Sequence, residues 1–461
     1  MQTFPFQFPS SLLASISKAC TIDEAKLIEA HHQNANTSVR KNPFKKTEQF
    51  DTYEKVKWAN HSFYLSERIE FIKDPLFHAG TYYVQEASSI FLEQAIKQTI
   101  NLTTDIKVLD LCASPGGKST LINSLISENS ILVSNEVIKN RIGALCENLT
   151  KWGQANVIVT NNDAADFLQL ENYFDLIVVD APCSGSGLFR KQADAIDYWS
   201  EENVQHCAMR QKRILADSYS SLKPNGILIY STCSYSTEEN EDIVSWLIEE
   251  KKVTSIQLQT DATWGITETL TNNGAYAYRF FPHLTKGEGF FIAILRKQDE
   301  AIEYPASRNK HHKINLEKIT TEELTHLTTF VHVPNNLKII KSNANYFLIN
   351  QHIADELSKL SLLHIRKKGT LLGEFKGKDF IPHHELALSN YNKVTLTSLE
   401  LSIDEALQYL KKSELKLTNT IEKGFCLVKY KNQAIGWVKN IGNRFNNYLP
   451  KDWRILKIID D

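Results

Sequence analysis

From Ile106 to about Leu295 the chain alternates short, β-branched apolar runs with amphipathic segments. The apolar runs predict strands at 107–110, 131–134, 156–160, 176–180, 226–231, 255–259 and 290–295. Nearly unbroken Val/Ile/Leu is the signature of strands covered on both faces. Between them, apolar residues at three- and four-residue spacing predict helices over 119–126, 138–152, 202–222 and 237–250. The last opens on Ser236-Thr-Glu-Glu239, which has the form of a capping box. Strand–helix alternation of this length predicts an α/β fold, a mostly parallel, doubly wound seven-stranded sheet with helices on both faces.

The flanks follow other rules. Residues 1–80 form an N-terminal region, mostly helical to about residue 75, with helical spacing at Ser10–Ile16 and Ile22–Ala30. Within it, Arg40, Lys41, Lys45, Lys46, Lys55 and Lys57 interleave with Phe44, Phe50 and Tyr53. Cations mixed with aromatics suit a nucleic-acid strand, because phosphates take charge and bases take stacking. Tyr82 to Ser89 then opens an amphipathic helix running to about Lys97, at the start of a domain spanning 81–297. A polar linker, 298–313, carries Pro305 and the basic cluster from Arg308 to Lys313. A small mixed α/β domain (314–400) and a final domain (401–461) follow. The latter shows a helix over 402–411 and short strands split by the tight turn Lys431-Asn-Gln, which predicts a compact β-barrel or sandwich.

At 461 residues, 42% hydrophobic and 23% charged, the chain suits several globular domains. It has no apolar run of membrane-spanning length, and Met1 to Phe6 lacks the form of a signal peptide, so a cytoplasmic protein off the membrane is expected. Seven cysteines scattered singly argue against disulfides and against a zinc site, so no metal is expected. The net charge of −2 conceals an asymmetry. From Lys411 to Lys457 eleven Lys/Arg face only Glu414, Glu422 and Asp452, a phosphate-seeking surface on an otherwise acidic chain.

The candidate chemistry lies at strand ends, where open α/β sheets bind ligands. Cys183 closes the run Phe174–Cys183 and Cys233 closes Gly226–Cys233, so two reduced thiols can share one crevice. Upstream, Cys112-Ala113-Ser114-Pro115-Gly116-Gly117-Lys118 joins a strand to a helix start, where glycines let the backbone approach a ligand. The spacing is that of neither a phosphate loop nor a dinucleotide fingerprint. Glu136 at the next strand tip is placed for ribose hydroxyls, and Asp163 after the third for an adenine amino group. A glycine turn and two acids on successive strands fit a nucleoside without a pyrophosphate, for which S-adenosylmethionine is the natural candidate. Lys118 is placed to orient Asp180 or the cofactor loop, or to face solvent. Arg141 is placed to contact ligand or to pair with Glu147.

The runs DLCASPGGKST, VVDAPCSGSGLFRK and YSTCSYSTEENEDIV closely resemble the Sun/RsmF family of RNA cytosine-5 methyltransferases. Tyr278–His283 with Gly287–Phe291 is similar to that family's end of the catalytic domain. The likeness covers roughly residues 80 to 297, and the basic C-terminal segment resembles the PUA-like RNA-binding domain of the RsmF branch. It implies a class I S-adenosylmethionine-dependent fold and methylation of cytosine carbon 5. It also implies Cys233 as the nucleophile, Asp180 holding the ring nitrogen at position 3 in a dry site, and Cys183 assisting release. The cofactor set is then 112–118, Glu136, Arg141, Asp163 and Asp180. The expected partner is RNA, 16S rRNA or the small ribosomal subunit rather than DNA, bound by a monomer. A tRNA enzyme and a non-catalytic RNA-binding assembly factor are the alternatives.

Overall fold

The computed structural model describes residues 7–298, 315–415 and 422–456. The expected linker, Lys416, Lys457 and the first six residues thus fall outside the described residues, apart from Gln298.

The central sheet is built from the expected strands and three more. In chain order these are β1 (Lys107–Asp110), β2 (Ile131–Asn135), β3 (Val157–Thr160), β4 (Phe174–Asp180), β5 (Leu222–Thr232), β6 (Val253–Ser255), β7 (Thr267–Leu270), β8 (Tyr276–Phe280), β9 (Phe290–Lys297) and β10 (Ile365–Lys368). The order is β7-β8-β9-β5-β4-β1-β2-β3-β10, with β6 also on β9. The five strands from β5 to β3 run parallel; β6 to β10 pair antiparallel. Alternate residues feed two apolar layers. Leu109, Val133, Ile177 and Val179 point to one face, and Val108, Leu132, Leu176 and Val178 to the other. Helices α1 (Gly117–Leu125), α2 (Ile142–Trp152), α3 (Glu201–Ser218) and α4 (Glu241–Lys251) form the crossovers. Where a strand over 255–259 was expected, pairing covers only Val253–Ser255.

The N-terminal region departs from a helical preface. Helices Ser10–Ala19 and Glu24–His31 are present, the second capped by Asp23. Thr37–Lys41 then pairs antiparallel with Ser62–Leu65 and Tyr82–Val84. Tyr82 therefore belongs to a strand, and the expected helix is a 3-10 turn at Ser88–Phe91 followed by Leu92–Thr99. Two cations expected to face RNA are structural. Arg40 is buried, bonded to Gln85 and Thr120 and packed on the Trp152 ring. Lys45 is buried with its ammonium on the carbonyls of Ala79, Lys151 and Leu388 at 2.6–2.7 Å. Burial pushes its pKa down to about 7, while three carbonyl acceptors require all three protons of the charged form.

Beyond residue 314, four antiparallel strands (Leu337–Ser342, Asn345–Asn350, Thr370–Lys376 and Asp379–Pro382) carry helices Thr321–Phe330 and Gln351–Leu360. This region is joined to the central sheet. β10 lies on the β3 edge, and Leu357, Leu360 and Leu363 pack in one apolar cluster with Ile131 and Val133. The last region has helix Ile403–Lys411, with Ser402 and Glu405 forming a capping box, and, among the described residues, a four-stranded sheet where a compact barrel or sandwich was expected. Its Gly424–Tyr430/Gln433–Asn440 hairpin turns at Lys431-Asn432, both at positive φ as the right-handed strand twist favours.

Candidate active site

β4 and β5 are parallel neighbours with Asp180 opposite Ser231, so the segments leaving their tips start side by side. Cys183 and Cys233 meet there with their sulfurs 3.2 Å apart, each partly exposed. Close backbone packing fixes the meeting. Gly187 donates its N–H to the Cys233 carbonyl at 2.8 Å and accepts from Gly289 at 3.0 Å. A Cβ on Gly187 would sit 2.7 Å from the Cys233 oxygen and 2.5 Å from that of Gly289, so only glycine fits. Two buried ion pairs brace the surroundings. Arg190 holds Glu288 and the Gly287 carbonyl, while Arg279 holds Glu241 and the Tyr235 carbonyl.

The Cys183 thiol is pushed well above its ordinary pKa, first by the hydrogen bond with Cys233, then by burial, with the charges of Cys233 and Glu239 adding. It therefore keeps its proton at neutral pH. Asp180 accepts from Lys118 Nζ at 2.7 Å and from Ser231 Oγ at 2.8 Å. The solvent-facing alternative for Lys118 is thus excluded, since its side chain is largely buried and also lies over the Phe290 ring. The Asp180 side chain is 34% exposed, wetter than the dry site expected of it.

The 112–118 loop caps β1. Ala113 donates to the Asn135 carbonyl, Ser114 exchanges hydrogen bonds with Arg141, and Asn148 holds the Pro115 carbonyl. Gly116 at φ +115° turns the chain into α1, which Gly117 begins. Arg141 reaches Glu136 at 3.5 Å, not Glu147, which is engaged by Lys151. Glu136 is buried and accepts from the Ile138 N–H. Burial, and then the charges of Asp110, Asp180 and Glu136, push the Cys112 thiol up, so these groups share one neighbourhood. Asp163 stands apart. Its carboxylate caps the turn at Ala165 and takes both arms of Arg213, with which an adenine amino group would have to compete.

Asp110, the last residue of β1, is a further candidate that its sequence run did not single out. One oxygen accepts from Ser119 Oγ at 2.6 Å; the other is buried without a hydrogen-bond partner among the described residues. Burial raises its pKa to about 7. An orphaned carboxylate oxygen beneath a glycine turn, with Glu136 at the neighbouring tip, suits a ligand carrying cationic and hydroxyl groups. Glu239 was also missed. Ser236 makes no capping bond, and a turn at Thr237–Glu239 precedes α4 instead of a continuous helix. The Glu239 side chain points back to the cysteine segments.

Three family profiles match separate parts of the chain. "16S rRNA methyltransferase RsmB/F" matches residues 97–296, "N-terminal domain of 16S rRNA methyltransferase RsmF" matches 8–87, and "Methyltransferase RsmF PUA domain" matches 396–455. A Vibrio parahaemolyticus protein named ribosomal RNA small subunit methyltransferase F is 30% identical over 419 residues, 87% of this chain and 86% of its own. Its Aeromonas salmonicida namesake is 30% identical over 416 residues, 88% and 85% of the two chains. The crystal structure of a methyltransferase homolog from Pyrococcus horikoshii superposes with a TM-score of 0.53 at 28% identity, covering 63% of this chain and 95% of that one.

Proposed function

Since the chain belongs to the RsmF family of small-subunit ribosomal RNA methyltransferases, we propose that it methylates carbon 5 of a cytosine in 16S rRNA through a covalent adduct on Cys233. S-adenosylmethionine is the cofactor; when bound it supplies an electrophilic methyl group. Asp110, Glu136, Arg141 and the 112–118 loop would hold it, with Asp163 at the third strand tip. The unpartnered Asp110 oxygen and the glycine turn support that fit.

Carbon 5 of cytosine is a poor nucleophile until a thiolate adds to carbon 6, which turns the ring into an enamine. Cys233 makes that bond. Asp180, steadied by Lys118 and Ser231, holds the ring through a proton shared with nitrogen 3, which becomes protonated as the thiolate adds. Carbon 5 then takes the methyl group, and its proton must leave before Cys233 can be expelled. Cys183 is timed for this step. The hydrogen bond with Cys233 is the first cause raising its pKa, and once Cys233 is a thioether that hydrogen bond and charge are gone. Cys183, partly exposed, then passes its proton to solvent water more readily, and its thiolate accepts the carbon 5 proton. The target base must leave its stack to reach the crevice, which favours a loop or melted segment of RNA. The protein works in the cytoplasm, and its basic C-terminal region grips RNA.

The observation that carries this reading is the 3.2 Å approach of two thiols beside the Asp180–Lys118 pair. Labelled cofactor with 16S rRNA, assembled small subunits and tRNA is the test. Cys233→Ala is expected to abolish both turnover and covalent RNA complex, whereas Cys183→Ala accumulates a denaturant-resistant RNA complex. RNA trapped by Cys233→Ala would reverse the two roles; transfer only to tRNA, or to no RNA, would remove the 16S assignment.

A further inference from the structure

We propose that Glu239 is the positioning residue that holds the two cysteines in register. Its side chain is fully buried, follows Cys233 in the same sequence run, and is not used in the reaction above. One oxygen accepts the Ser184 N–H at 2.8 Å and the Gln211 amide at 3.2 Å. The other accepts the Ser184 hydroxyl at 2.5 Å and the Ser234 hydroxyl at 2.6 Å. Ser184 directly follows Cys183 and Ser234 directly follows Cys233. A single carboxylate thus ties the residue after one thiol to the residue after the other.

The tie is anchored at both ends. Tyr230, inside β5, donates its hydroxyl to the Glu239 carbonyl at 2.6 Å. Gln211, on α3, also donates to the carbonyl of Pro182, the residue before Cys183, at 3.0 Å. Burying a carboxylate is costly unless its oxygens are satisfied, and four donors here satisfy both. Burial pushes the Glu239 pKa up and the hydrogen bonds pull it back. The alternative role, capping α4, is excluded because the side chain makes none of its hydrogen bonds to that helix. Without Glu239 the segments keep the Gly187–Cys233 backbone bond, but their side-chain links fall to the Ser184–Ser234 and Ser186–Ser234 hydroxyl contacts at 3.2 and 3.3 Å, which leave the sulfurs freer to part.

This rests on the assignment of the two cysteines, but its test does not need methylation. A diazene oxidant such as diamide joins two adjacent thiols, taking two electrons and two protons as it becomes the hydrazine. The rate of Cys183–Cys233 cross-linking, read by mass spectrometry on the full-length protein, reports sulfur proximity without RNA or cofactor. Glu239→Ala is expected to slow cross-linking about tenfold and, in parallel, covalent RNA complex formation by up to about a hundredfold, the scale of an ångström misplacement. Glu239→Gln keeps an acceptor for the Ser184 N–H, and both hydroxyls can turn to donate or accept, so it should stay within about threefold of the parent. A folded-state melt accompanies each variant. If Glu239→Ala does not fold, Ser234→Ala, which cuts one arm of the tie, takes its place and should also slow cross-linking. Parental cross-linking in Glu239→Ala, or in Ser234→Ala where that variant replaces it, overturns the proposal. So does a Glu239→Gln chain as slow as Glu239→Ala. Lost cross-linking without any methyl transfer by the parent would instead leave Glu239 standing and sink the proposed function.

Discussion

The proton on Cys183 is controlled mainly by the sulfur beside it. The hydrogen bond with Cys233 is the largest influence raising its pKa, ahead of burial. Removing that partner by Cys233→Ala takes away both the hydrogen bond and the charge, so the Cys183 pKa must fall. Its thiolate then appears at lower pH. Alkylation of Cys183 by iodoacetamide, followed by peptide mass spectrometry from pH 6 to about 10, should therefore shift to lower pH in Cys233→Ala. An unchanged profile would make burial the controlling influence. At this scale the sequence was legible where chemistry and strand ends coincide. Cys183, Cys233, Asp180 and Glu136 all follow apolar runs whose ends are visible. Glu239 was not, because Ser-x-x-Glu before a helix satisfies a capping spacing whether or not the side chain turns inward. Arg141 was half legible. Its helix was evident, but Glu136 and Glu147 were both in reach, and only the loop geometry selects Glu136.

Among the secondary-structure elements, the parallel strands were readable because both faces are buried, leaving nearly unbroken Val, Ile and Leu. β7 and β10 were not, since Thr-Glu-Thr-Leu and Ile-Arg-Lys-Lys carry the polar composition of sheet edges. The basic segment after Val39 misled for a different reason. Composition registers a lysine without showing that its ammonium fills a socket of three carbonyls. That socket joins the N-terminal region to α2 and to helix His384–Leu388. Lys45→Met keeps the aliphatic stem but strands three buried acceptors, at a cost of about 3 kcal/mol. Chemical denaturation should show a lower midpoint with an unchanged slope; an unaltered midpoint would mean that water replaces the ammonium at no cost.

Across the whole molecule, the region after residue 314 looked like a separate domain because a polar stretch precedes it. The sheet unites what that stretch divides. β10 satisfies the open edge of β3, and Leu357, Leu360 and Leu363 complete the core beneath it, each contributing about 2 kcal/mol. A chain ending at Lys297 is therefore expected to expose a strand edge and an apolar patch, and to elute as aggregates on size exclusion. A monodisperse truncated protein would show that β10 is dispensable. β10 also bears on any attempt to retarget the enzyme. The His364 carbonyl accepts the Asn161 N–H and its own N–H bonds Asn162, next to Asp163, so the tail is stitched to the tip of β3. A chimaera built by exchanging the tail cannot be cut at the polar stretch alone, as one would swap a tethered reader. The donor must bring a replacement for Ile365–Lys368 that mates with Val157–Thr160, or the graft will disturb the machine it was meant to steer.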